Sequence, residues 1–80
     1  MQTKVFQIIV DNTSGVLSRV LSVFATSGAN ILTINQSIPT NGCAAVTISA
    51  ETSDMAESLE QLLGNVSALD GVIKFEILAG

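Results

Sequence analysis

The spacing between apolar residues changes repeatedly along this chain, and that rhythm narrows the available folds more than any other feature. VFQIIV, residues 5–10, is short and β-branched, and places Phe6, Ile8 and Val10 on one side of an extended strand. Val16, Leu17, Val20, Leu21 and Phe24 then recur at helical spacing as one stripe, with Ser18, Arg19, Ser22 and Val23 off its centre. A step of two returns in NILTINQSI, residues 30–38, with Leu32, Ile34 and Ile38 in phase. It continues in CAAVTISAE, residues 43–51, with Ala44, Val46, Ile48 and Ala50 on one face and Cys43, Ala45, Thr47 and Ser49 on the other. Met55, Leu59, Leu62, Leu63 and Val66 form a second helical stripe. VIKFEIL, residues 72–78, closes the pattern with Ile73, Phe75 and Ile77 in phase.

Turn and cap residues separate these segments. Thr13 or Ser14 is the natural N-cap of the first helix, and Gly28 is its terminator. Pro39-Thr40-Asn41-Gly42 is a strong turn signal that makes a hairpin of the second and third strands. Thr52, Ser53 and Asp54 offer caps for the second helix. Asp54 with Glu57 fits a capping box, and Asp54, Glu57 and Glu60 sit where the helix dipole favours acids. Gly64 costs that helix about 1 kcal/mol relative to alanine, so its end is loosely defined. Asp70-Gly71 turns the chain into the last strand.

The order is therefore β-α-β-β-α-β, an α+β fold. A four-stranded antiparallel sheet with both helices on one face buries every stripe, the split βαβ or ferredoxin-like arrangement. Right-handed crossovers give the strand order 4-1-3-2, with the second and fourth strands at the edges. Eighty residues make one domain, residues 1–80. A chain this short buries only about 60% of its unfolded surface. Yet 48% of its residues are hydrophobic and 12% charged, so much of it expects a cover, from its own core or a partner. The sheet's other face, with Val5, Gln7, Ile9, Thr33, Asn35, Ala45, Thr47 and Ser49, reads as flat, small and nearly uncharged. The second strand carries no charge from Asn30 to Ile38. Edge strands usually defend themselves with lysine, proline or bulges, so an undefended one reads as a pairing surface for a second copy, in a homodimer or higher oligomer.

Several classes of function are excluded. The net charge is −4, with only Lys4, Arg19 and Lys74 positive; three scattered cations do not make a phosphate-neutralising cluster, and there is no Tyr or Trp to stack on bases. No apolar run approaches the ~20 residues of a membrane span. The N-terminus does not read as a signal peptide, and one cysteine cannot form an internal disulfide, so a reducing, cytoplasmic setting follows. Without histidine, and with one thiol, neither a Cys/His metal cluster nor a Cys-His nucleophile is available. Cys43 reads as a half-buried strand residue, and the acids lie where caps and turns explain them. The fold also hosts a small acyl-phosphate hydrolase, but this chain's first loop lacks the arginine of that anion cradle. No catalytic role and no cofactor are expected.

One stretch resists the structural reading. DNTSGVLSRV, residues 11–20, puts Gly15 at the start of a helix, whereas glycine belongs after a helix end. Either the backbone bends there as a side chain forbids, or something approaches it closely. The strand-end Asp11, the Gly15-Val16-Leu17 helix start, the run SGANILTINQSI and the closing DGVI together resemble an ACT domain over essentially the whole chain. Asn30 to Pro39 is similar to the C-terminal ACT domain of small bacterial PheB-type proteins, some linked to phenylalanine biosynthesis. Their N-terminal segment is missing here, so the chain is a trimmed piece or a single-domain relative.

The resemblance implies a regulatory module of amino-acid metabolism that pairs with itself and binds a free amino acid where two copies meet. The implied ligand-binding residues are Asp11, Asn12, Gly15 and Leu17 from the first loop and helix, and Asn30 and Ile31 from the second strand. Asn35 and Gln36 are further polar candidates. Physical chemistry agrees: the first helical turn offers unpaired N–H groups to a carboxylate, with about 0.3–1 kcal/mol from the dipole and up to about 2 when partly buried. Asp11 or Asn30 can meet the ammonium. A ligand of about ten heavy atoms binds at micromolar to millimolar concentration. The alternative is an oligomerisation or protein-interaction module without ligand, in which Gly15 only permits close packing and Asp11 to Ser14 only cap and turn.

Overall fold

In the computed structural model, the structure describes residues 3–11, 15–37, 40–53 and 55–79. The elements are β1 (Thr3–Asp11), α1 (Val16–Ser27), β2 (Asn30–Gln36), β3 (Cys43–Glu51), α2 (Leu59–Ser67) and β4 (Val72–Ala79). They form one antiparallel sheet in the order β2-β3-β1-β4, the predicted 4-1-3-2 arrangement. The fold is α+β, ferredoxin-like βαββαβ.

The central strands behave as their alternation requires. Phe6, Ile8 and Val10 of β1 and Ala44, Val46, Ile48 and Ala50 of β3 are buried. Against them lie Val16, Val20 and Phe24 of α1 and Leu62 and Val66 of α2. Leu17, Leu21, Met55, Leu59, Val72 and Phe75 pack around this core, half-buried. The chain's three phenylalanines meet at its centre: Phe6 stands edge-on to Phe24 at 5.2 Å between ring centroids, and is stacked on Phe75 at 5.5 Å. Such pairs contribute about 0.5–1.5 kcal/mol beyond the area they bury.

Both edge strands depart from simple alternation. In β2 the register shifts between Ile31 and Thr33, so Ile31 lies opposite buried Ala50 and Ile34 opposite buried Ile48. Leu32 is the bulged residue. Leu32 and Ile34, expected to share a buried face, are 46% and 41% exposed; Ile38 lies outside the described residues. β4 has shifts beside Val72 and beside Ala79. Only Phe75 of its three expected apolar positions packs into the core, while Ile73 and Ile77 are exposed. A bulge adds one unpaired residue and so breaks the period of two that sequence reading relies on.

The helix starts also differ from expectation. The N-cap of α1 is Gly15, with φ +91° and no side-chain cap, rather than Thr13 or Ser14, which lie outside the described residues. α2 begins at Ser58, not near residues 52–54. The amides of Ala56 and Glu57 both donate to the carbonyl of Ser27, at 3.0 and 3.4 Å, which holds that segment outside the helix. Ser58 and Gln61 form the capping box: Gln61 N donates to Ser58 Oγ at 3.2 Å and Ser58 N to Gln61 Oε1 at 3.1 Å. Asp54 lies outside the described residues. Gly28 terminates α1 at φ +90°, as expected. Ser27, fully buried, donates its hydroxyl to the carbonyl of Phe24 at 2.6 Å, so its burial leaves no polar atom unpaired.

Asn41 and Gly42 have φ of +55° and +77° between Thr40 and Cys43, which pair with each other. Two residues of positive φ match the twist of the flanking strands, so Asn-Gly closes the β2–β3 hairpin.

Candidate ligand site

The chain leaves β1 at Asp11, whose amide donates to the carbonyl of Gly71 at 2.7 Å, and enters α1 at Gly15. Asp11 and Gly15 are exposed. A side chain is rarely tolerated at φ +91°, so the backbone bend accounts for the glycine. Space does not: a methyl group on Gly15 would lie 3.8 Å from the Arg19 Nη2, an ordinary contact. The close approach occurs instead at Gly71, where φ is +91° and a methyl group would come within 2.6 Å of Val16 Cγ2. Gly71 therefore lets the α2–β4 turn lie against the first residue of α1.

Arg19 is the residue that sequence reading left out of the site. It stands one helical turn after Gly15, its amide donates to the Gly15 carbonyl at 3.1 Å, and its guanidinium reaches back to the turn. The i, i+4 spacing was the available signal. An exposed guanidinium beside a helix start that lacks a side-chain cap is suited to hold a carboxylate in a fork.

The other predicted residues fall elsewhere. Leu17 is half-buried against the core and so shapes the helix start rather than presenting a polar group. Asn12 lies outside the described residues. Asn30, exposed, and Ile31, half-buried, pair with Glu51 and Ala50. Glu51 pairs in turn with Thr3, whereas Asp11 pairs with Cys43. Asn30 is thus at the opposite end of the sheet from Asp11 and Gly15, roughly 25 Å away at ~3.3 Å rise per residue. One copy does not bring the two halves of the predicted set together. Asn35 faces the open side of the sheet opposite Thr47, and Gln36 lies opposite Val46 at the Asp11 end.

A groove of about 190 Å³ opens between the helices, lined by Ser22, Val23, Thr26, Glu57 and Asn65. It includes none of the predicted residues. Among the described residues no group of three His, Cys, Asp or Glu side chains is placed to hold a metal ion, and no helix is long and apolar enough to cross a membrane. Cys43 is a free, half-buried thiol on β3.

Residues 6–74 match the family model of the AHAS small subunit-like ACT domain. The chain belongs to the ACT domain family. It is 46% identical over 71 residues to a UPF0735 ACT domain-containing protein of Caldicellulosiruptor saccharolyticus, a match over 89% of this chain and 47% of that protein. A second such protein, from Desulfitobacterium hafniense, is 48% identical over 73 residues, covering 91% of this chain and 49% of its own length. The ACT domain thus spans about half the length of the curated relatives it matches. Among solved structures, the acetolactate synthase small subunit of Thermotoga maritima aligns with TM-score 0.78 and 26% identity, over 96% of this chain and 47% of that one. The ACT domain of the GTP pyrophosphokinase of Chlorobium tepidum shares the fold, with TM-score 0.73 and 18% identity over 95% of this chain and 96% of that one. ACT domains are a regulatory, ligand-binding family, and the matched neighbours include the small subunit of an acetolactate synthase.

Proposed function

We propose that this ACT domain is a regulatory rather than catalytic module that binds a free amino acid between two copies paired through β2. The observation that carries the reading is the separation of the two half-sites. Antiparallel pairing of β2 with its own image reverses polarity, so the Asn30 end of one copy lies beside the Gln36 end of the other. That second end carries Asp11, Gly15 and Arg19 in its own chain. Groups at opposite ends of one molecule are thereby brought to the same end of the paired sheet. The carboxylate of the ligand is then held by Arg19 and the amides that start α1, and its ammonium by Asp11 and by Asn30 of the second copy. The exposed, uncharged β2 edge with Leu32 and Ile34 supports the same pairing.

Regulation follows by linkage. A ligand shared by two copies binds the pair better than the single chain and so favours association or changes the pose of an attached partner. A second reading, an oligomerisation module without ligand, has one observation in its favour: the φ of +91° at Gly15 accounts for that glycine without any ligand.

Thermal melts with each of the twenty amino acids separate the two. The first reading predicts a concentration-dependent rise for one or a few, about 1.4 kcal/mol at ten times Kd or roughly 6–11 °C, and its loss in Arg19→Leu. No rise with any amino acid at millimolar concentration supports the second.

A further inference from the structure

We infer that the β4 edge is a separate self-docking surface, which takes a second copy of this chain in antiparallel register centred on Phe75. The inference does not depend on the amino-acid site. Three of the large apolar side chains exposed among the described residues lie on this strand: Ile73 at 57%, Ile77 at 39% and Leu78 at 52%. Residues 72–78 read VIKFEIL, which is its own antiparallel complement about Phe75. Within the regular part of the strand Lys74 falls opposite Glu76, and the exposed Ile73 and Leu78 stand at its two ends, beside the register shifts.

The geometry of the strand suits that pairing. From Ile77 to Lys74 the ladder with β1 is regular: Phe6 lies opposite Ile77, Gln7 opposite Glu76, Ile8 opposite Phe75 and Ile9 opposite Lys74. Lys74 and Glu76 therefore share the open face of the sheet, and Phe75 shares the helical face with buried Ile8. In the proposed register each Lys74 meets the Glu76 of the other copy, twice per interface. Within one chain the same two groups are 3.8 Å apart on the surface, an exposed pair that contributes little. On the helical face the half-buried Phe75 rings meet across the axis, with the exposed Ile77 of each copy on that same face.

Charge also rejects the alternatives. A shift of two residues one way puts lysine opposite lysine, and the other way glutamate opposite glutamate. A shift of one residue turns the charged row to the apolar face. Parallel pairing sets like beside like. The register shifts on either side of the Lys74–Ile77 segment limit the ladder to a few residues, so an arbitrary strand gains little from adding here.

The test is the solution mass of the protein by sedimentation velocity at one fixed chain concentration, for the native chain, Lys74→Glu, Glu76→Lys and the double variant K74E/E76K, with circular dichroism to verify folding. Each single variant brings four like charges together and is expected to lower the mass to that of the species held without β4. The double variant keeps the complementarity with signs exchanged and is expected to restore it, as is a one-to-one mixture of the two single variants. Equal masses for the native chain and both single variants overturn the inference. So does a reduced mass that neither the double variant nor the mixture restores.

Discussion

The two edges of the sheet solve the same problem in opposite ways. β2 carries no charge and offers Leu32 and Ile34 to a neighbour, with one bulge at Leu32. β4 exposes more apolar surface, yet it carries Lys74 and Glu76 and has a register shift on either side of its regular segment. An uncharged edge accepts any strand of matching shape, and its selectivity must come from what lies around it, which in the proposed pairing is Arg19 at the α1 start of one copy and Asn30 of the other. A charged, interrupted edge accepts only a strand whose charges answer its own. The difference teaches that exposure alone does not define a docking surface; the arrangement of charge decides which partner and which register.

The widest break in this comparison comes from putting a charge on the bare edge. Leu32→Lys places an ammonium where the second copy would desolvate it, at a position exposed in the single chain. The expected outcome is loss of the β2-paired species, seen as a fall in mass by light scattering, with a circular dichroism spectrum like the native one. The β4 interface should survive, and charge exchange at Lys74 and Glu76 should still act on the remaining mass.

A smaller effect separates the turn that clamps β4 from the turn that opens the site. Gly71→Ala combines an unfavourable φ with overlap on Val16, about 2–4 kcal/mol, or a fall in melting temperature of roughly 10–25 °C. Gly15→Ala meets the unfavourable φ alone, because its nearest neighbour is Arg19 at 3.8 Å, and costs about 1–2 kcal/mol. Equal losses in the two melts would mean that the Val16 contact relaxes freely.

Most of the fold was legible because β1, β3 and α1 are covered on the side their apolar residues define, so Phe6, Ile8, Val46, Ile48 and Phe24 alternate or recur as burial demands. The edges were misread because a bulge inserts one residue, and nothing in the residue types of Leu32 or Ile73 marks it. The start of α2 lies later than expected because Thr52, Ser53 and Asp54 look like caps, while Ser58 with Gln61 fits the same rule four to six residues later. What decided between them was tertiary: the amides of Ala56 and Glu57 are taken by the Ser27 carbonyl at the end of α1. At the site, the unusual glycine was visible, but its cause was not. A positive φ and a close contact both select glycine: Gly15 has the positive φ alone, and Gly71 has both. Arg19 is not legible as part of the site because it lies along the helix rather than in the first loop, and only the folded helix brings its guanidinium back to Gly15.

The central claim is that each binding site is built from two copies, and complementation between variants tests it most directly. Arg19→Leu disables one half of the site and Asn30→Leu the other, and binding of the amino acid that raises the native melting temperature is measured by calorimetry for each variant and for a one-to-one mixture. The account predicts little binding by either variant alone. In the mixture half the pairs are mixed and each has one intact site of two, so about a quarter of the native capacity returns. Native-like binding by either variant alone, or none in the mixture, would contradict it.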